Sequence, residues 1–120
     1  LSVYGNDYKT RDGTGVRDFI HVEDLAKAHV SSIELLNTKI KSEVINLGTG
    51  IGFSVLEIIK EFENTIQKTI PFKIKPRRSG DVAEIIADNK KANRLLEWKI
   101  TNSLRDICKD TVRWINNESI

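Results

Sequence analysis

Hydrophobic positions change their spacing along this chain, and each spacing predicts an element. The opening "LSVYG" is apolar and β-prone and reads as a strand. "NDYKTRDGTG" follows, crowded with Asn, Asp, Gly and Thr, which is turn chemistry. "VRDFIHV" alternates loosely and predicts a short extended segment. From Asp24, "DLAKAHVSSIELLNTKI" predicts a helix, with Val22, Ala26, Val30 and Ile33 on one inward face. "EVINLGTGIG" reads as a strand running into a Gly-rich turn. The next helix starts at Ser54, with Glu57 completing a capping box and Val55, Ile58, Ile59, Phe62 and Ile66 as its core stripe. In "IPFKIKP", Ile70, Phe72 and Ile74 alternate with polar positions, as in a half-buried strand. After the loop "KPRRSGD" and "AEIIAD" come a short helix from Asp88 to about Trp98 and a last helix from Ser103. Leu104, Ile107, Cys108, Thr111 and Ile115 face inward on that last helix. The class is α/β with helices dominating and a few short strands.

Composition narrows the picture. The 120 residues make one domain at most, with no internal repeat or linker. Hydrophobic residues are 39% and charged residues 30%, an ordinary globular balance. A net charge of +2 does not argue for nucleic acid, and no apolar run reaches the ~20 residues that span a membrane. The single Cys108 has no disulfide partner, which fits a cytoplasmic setting. The chain has no Met and starts inside a β-prone run, so we expect a piece of a longer protein; a processed or trimmed terminus is the alternative.

Several chemistries lack their residues. "NLGTGIG" has the look of a dinucleotide-binding turn, but G-x-G-x-x-G needs glycine at position 53, which is Phe, and no acidic residue follows a second strand. A turn whose backbone passes close to a ligand is the expected use. No G-x-S-x-G elbow occurs, and one Cys with His21 and His29 forms no metal-ligand pattern, so both histidines read as structural. What remains is anion recognition. Arg17 directly follows "DGTG", and Arg77 and Arg78 share a loop with Asp81. A guanidinium fork can hold two phosphate oxygens, and a carboxylate can accept from ribose hydroxyls. Against this stands a solvated basic loop, with Arg17 paired to Asp18 or Asp24; spacing alone leaves both open. "KIKPRR" as a nucleic-acid strip lacks interleaved aromatics.

"YGNDYKTRDGTGVRDFIHVEDLAKAHV", "INLGTGIGFSVLEII" and "PRRSGDVAEIIAD" together resemble the UDP-glucose 4-epimerases, which are extended short-chain dehydrogenases/reductases. The resemblance covers essentially all 120 residues and matches that family's C-terminal third. It implies that residues 1–120 are the UDP-sugar-binding portion of a larger NAD-dependent, homodimeric isomerase acting at C4 of UDP-glucose and UDP-galactose. It further implies that Arg17 and Arg78 clamp the diphosphate and that Asp81 holds the ribose hydroxyls. Ser2 and Tyr4 would lie along the uracil, and Val55 would line the nucleotide pocket. Phe19 stands where relatives often carry Tyr, so a hydroxyl contact is lost there. Ile85 stands near the sugar where relatives carry a large Tyr or a small Cys, and its intermediate size implies a preference for sugars without an N-acetyl group.

The family's G-x-x-G-x-x-G turn and Y-x-x-x-K pair are absent: Tyr8 follows Tyr4 by four, and Asp12 follows Tyr8 by four. The resemblance therefore places the NAD site and the catalytic residues in an N-terminal domain outside these residues. Isolated, the chain is expected to be inactive. A free-standing uridine-nucleotide-binding module is the alternative from another class, and a nucleic-acid-binding domain is a third.

Overall fold

The computed structural model describes residues 1–38 and 42–116. In chain order the elements are β1 (Ser2–Tyr4), β2 (Val16–Asp18), α1 (Val22–Leu36), β3 (Gly52–Ser54), α2 (Val55–Ile66), β4 (Lys73–Lys75), β5 (Glu84–Ile85), α3 (Lys90–Leu96) and α4 (Leu104–Ile115). The class is α/β, as the pattern predicts. β1 pairs in parallel with β4, setting Tyr4 opposite Lys75. β2 is the middle strand of a separate three-stranded sheet, antiparallel to β3 and parallel to β5. The Gly-rich turn is thus part strand, because Gly52–Ser54 finds a partner in β2.

Each long helix begins where a side chain satisfies the free amides of its first turn. His21 caps α1 by accepting from the Glu23 amide through Nδ1, and its Nε2 lies 3.2 Å from Asp110 on α4. Only 3% exposed, it is a structural histidine. Ser54 and Ser103 form capping boxes with Glu57 and Asp106, so both helices start where the sequence places them. α2 packs on α4 and α1 on α3. The core holds Ala28, Ala92, Leu96 and Trp98, with Ile20, Leu35, Ile45, Leu47 and Ile100 against it. Cys108 is fully buried on α4, and burial pushes its thiol up to about 11, an inert core residue.

Asp24 fastens the start of α1 to the segment before α4. Its fully buried carboxylate accepts from Thr101 Oγ1 at 2.6 Å and from the Thr101 and Asn102 amides at 3.2 and 2.9 Å. Trp98 Nε1 donates to the Asp24 carbonyl at 2.7 Å. Burial raises the Asp24 pKa, but the bonds from Thr101 and Asn102 outweigh it and bring it down to about 2.

The helix face predicted to point inward does the opposite. Val22, Val30 and Ile33 are 60–72% exposed, Ala26 is exposed, and the buried positions of α1 are Asp24 and Ala28. The predicted strand over "EVINLG" has no strand partner either: Ser42–Leu47 forms no ladder. Ile45 and Leu47 reach the core, while Val44 is 83% exposed. β4 is shorter and less covered than a half-buried strand, with Phe72 and Ile74 exposed, and Ile115 of α4 is exposed too. Residues 39 and 40 of the predicted first helix lie outside the described residues. Among the described residues no helix is long and apolar enough to cross a membrane.

Candidate functional site

The loop "PRRSGD" follows β4, and three elements carry side chains towards it. β1 brings Ser2 and Tyr4, β2 brings Arg17, and the first turn of α2 brings Val55. The start of α2 is fixed closely: the Val55 amide donates to the Gly15 carbonyl, and Ser54 Oγ donates to the Asp12 carboxylate while accepting from the Glu57 amide. Asp12 also accepts from the Thr14 amide and hydroxyl, so the "DGTG" turn and the helix cap form one network. Arg11 closes the outer side by pairing with Glu57 and donating to the Gly52 carbonyl at 2.8 Å.

These elements enclose an open cleft of about 240 Å³ lined by Ser2, Tyr4, Arg17, Val55, Arg78 and Asp81. All six are residues expected in the site. Val3, Tyr8 and Gly15 complete its wall. Phe19 and Ile85 do not line it: Phe19 lies just past β2, and Ile85 sits 56% exposed on β5, in register with Arg17.

Charge in the cleft centres on Asp81. Arg78 donates to it through Nε at 2.8 Å and Nη2 at 3.3 Å, and Arg17 Nη2 stands 3.9 Å away on the other side. Arg17 is neither free nor paired with Asp18 or Asp24; its Nη1 donates to the Val16 carbonyl at 2.7 Å, which orients the fork. Arg78 also lies 5.0 Å from the centre of the Tyr4 ring. Two guanidiniums thus share one carboxylate, an arrangement with spare positive charge and open donor capacity for an anion.

Adjacent Arg77 has a different fate. Its Nε donates to Asp7 Oδ1 at 2.7 Å, its Nη2 to the Asp7 carbonyl at 2.6 Å, and its guanidinium stacks 4.1 Å over Tyr8. The side-chain hydrogen bond holds the Asp7 carboxyl below its ordinary range. Arg77 therefore fastens the loop and leaves Arg78 to face the cleft.

The turn "NLGTGIG" is not a cofactor site. Its amides are already used: Asp18 accepts from Thr49 N at 2.9 Å and Gly50 N at 2.9 Å, and from Thr49 Oγ1 at 2.6 Å. A Cβ at Gly48 would stand 2.6 Å from Asp18 Oδ2, so glycine there lets the turn close on that carboxylate. With these donors spent and Phe at position 53, the residues present do not fit NAD. The Thr49 and Gly50 donors of the turn serve Asp18.

Sequence reasoning misses Tyr8 as a wall of the cleft and Asp18 as the organiser of the turn. Both sit in stretches readable only as turn or strand. The available signal for Tyr8 is Gly5, which permits a close ring approach, but nothing in the spacing says which ring.

A cleft with two guanidiniums, a carboxylate and an extended strand has the chemistry to hold an anion such as a nucleotide phosphate. Residues 1–111 match the family described as GDP-mannose 4,6 dehydratase, and the chain belongs to it. It is 49% identical over 114 residues to UDP-glucose 4-epimerase of Bacillus subtilis (strain 168), covering 95% of this chain and 34% of that one. UDP-glucose 4-epimerase of Dictyostelium discoideum is 51% identical over 115 residues, covering 95% of this chain and 33% of its own. Among solved structures, UDP-glucose 4-epimerase from Stenotrophomonas maltophila, with bound NAD and formylated UDP-arabinopyranose, superposes with a TM-score of 0.93 at 50% identity. It covers 98% of this chain and 35% of that one. The Bifidobacterium longum enzyme in complex with NAD+ and UDP gives 0.89 at 48%, over 98% of this chain and 35% of its own. The chain spans about one third of the length of these relatives.

Proposed function

We propose that the chain is the UDP-sugar-anchoring portion of a UDP-glucose/UDP-galactose 4-epimerase, C-terminal to a NAD-binding portion. One observation carries this reading: Arg17 and Arg78, far apart in sequence, converge on Asp81 in a single cleft walled by β1 and the start of α2. The similarity to epimerases solved with NAD and UDP supports it, as does the absence here of G-x-x-G-x-x-G and Y-x-x-x-K.

Without ligand, Asp81 offsets one of the two guanidinium charges and leaves the other in excess. A diphosphate entering the cleft offers more acceptors, takes the forks of Arg17 and Arg78, and releases carboxylate oxygens to accept from ribose hydroxyls. Hydride exchange at C4 belongs to NAD, held by the rest of the enzyme. This chain's part is to fix the nucleotide while the sugar turns. Such an anchor holds ground and transition states alike, so its loss raises KM more than it lowers kcat.

The exposed apolar surface is what the NAD-binding portion would cover. The α1 face of Val22, Ala26, Val30 and Ile33 stands exposed, and so does Val44 in the nearby Ser42–Leu47 segment, which has no strand partner among the described residues. A 120-residue domain that closes its own core has a radius of gyration of about 13.5 Å. This chain has 16.9 Å and is only 20 Å thick along its shortest axis.

The test is a chimera in which this chain replaces the matching third of the Bacillus subtilis enzyme. It should interconvert UDP-galactose and UDP-glucose, while the chain alone binds UDP saturably and turns over neither sugar. A folded but inactive chimera, or turnover by the isolated chain, overturns the proposal.

A further inference from the structure

We propose that the Tyr8 hydroxyl is a third donor to the diphosphate, beside Arg17 and Arg78. This rests on the uridine-nucleotide reading of the cleft and adds to it a residue that the family resemblance does not supply.

Tyr8 is held through its backbone and its ring, and its hydroxyl is covered but unpaired. The residue is only 7% exposed. Its amide donates to the Gly13 carbonyl at 2.9 Å, and its carbonyl accepts from the Thr10 amide at 2.8 Å. Arg77, itself tied to Asp7, covers one ring face at 4.1 Å. Gly5 closes another side: its φ is +81°, and a Cβ there would stand 2.5 Å from Tyr8 Cε2. Yet the buried Oη has no hydrogen-bond partner among the described residues. Buried polar atoms in folded proteins are nearly all paired, so an unpaired hydroxyl on a firmly held residue that lines the cleft calls for a ligand atom.

Surrounding charge selects the kind of atom. Two arginines stand close to Tyr8: Arg77 against its ring, and Arg78 beside it in the cleft. Cations attract the oxygen end of the O–H dipole and leave the hydrogen for an acceptor. Tyr8 then donates, and the acceptor that also satisfies two guanidiniums is a phosphate oxygen. Asp81 and the β1 strand remain for the ribose and the base.

Tyr8→Phe removes the hydroxyl and keeps the ring. By calorimetric titration of the chimera, it should weaken UDP about tenfold, the usual effect of losing a hydrogen bond to a charged group. Affinity for uridine, which lacks phosphate, should not change. Melting temperature without ligand should stay the same or rise, because an unpaired buried group has gone. Arg78→Ala run alongside separates the two levels of the argument. If the unaltered chimera fails to bind UDP, or its Arg78→Ala variant binds it equally well, the cleft reading falls and this assignment with it. If Arg78→Ala weakens UDP but Tyr8→Phe does not, the hydroxyl assignment alone is overturned. It is overturned too if Tyr8→Phe lowers UDP and uridine binding equally, or lowers the melting temperature.

Discussion

The cleft and the outer face of α1 are both incomplete surfaces, but they are incomplete in different ways. In the cleft, Arg17, Arg78 and Asp81 satisfy one another until something better arrives. On α1, Val22, Val30 and Ile33 stand in solvent with no such stopgap. Charged groups can pair internally at small cost and release their partner on binding. Apolar side chains have no substitute partner, so their exposure persists until a second surface covers them. The first kind of incompleteness fits a small, exchangeable ligand, and the second a permanent protein neighbour.

The largest effect should come from making the apolar face resemble the polar one. Val30→Glu with Ile33→Glu puts two carboxylates on an exposed helix face, so the isolated chain should keep its melting temperature within a few degrees. In the chimera those carboxylates would be buried without partners, and assembly should weaken by roughly a hundredfold or more. Epimerase activity and soluble yield of the chimera are the readouts. Full activity of the doubly substituted chimera would mean that this face is simply solvated and that the contrast with the cleft is false.

Asp24 offers the next largest effect, and it separates internal cohesion from both surfaces. Its pKa falls from an ordinary 3.8 to about 2 on folding, so its stabilisation is present above the unfolded value and is lost as pH drops through the folded one. The difference corresponds to about 2 kcal/mol. Denaturant midpoints should therefore decline between about pH 5 and pH 2. Asp24→Asn should flatten the part of that decline due to this group, while lowering stability at pH 7. An unchanged pH slope in the variant would assign the acid sensitivity elsewhere.

The same division explains what is legible in the sequence. The capping boxes at Ser54 and Ser103 and the helices they start depend on residues three apart, so local reading finds them. The cleft residues Ser2, Tyr4, Arg17, Val55, Arg78 and Asp81 are legible through family motifs, since spacing alone leaves a solvated loop equally open. Periodicity misreads the facing of α1 because it reports that a helix has an apolar side and not which surface covers it. "EVINLG" reads as a strand because its pattern is that of one; a ladder needs a neighbour, and none of the described residues supplies it. The separate fates of Arg77 and Arg78 are invisible, because they hinge on Asp7, seventy residues away.

A smaller effect tests that split within the cleft. Arg78→Ala should weaken UDP binding about ten- to hundredfold and in the chimera raise KM with kcat nearly constant. Arg77→Ala should leave UDP affinity within about threefold while lowering the melting temperature, since it removes a loop fastening and a cation–π contact. Equal losses from both substitutions would merge the two arginines into one basic patch and remove the distinction between fastening and recognition.

The smallest effect concerns Ile85, which lies outside the cleft wall on β5, in register with Arg17. If the nucleotide is anchored at Arg17 and Arg78, the sugar leaves the diphosphate on a path that side-chain volume beside Arg17 can restrict. Ile85→Cys removes volume and Ile85→Tyr adds it, without touching an anchoring charge. In the chimera, Ile85→Cys should raise turnover of UDP-N-acetylglucosamine severalfold relative to UDP-glucose, because pocket volume discriminates by about 1–3 kcal/mol at most. Ile85→Tyr should lower it, and UDP affinity should not move in either variant. A change in UDP affinity would place Ile85 with the anchors, so the comparison between holding the nucleotide and sizing the sugar would fail at this position.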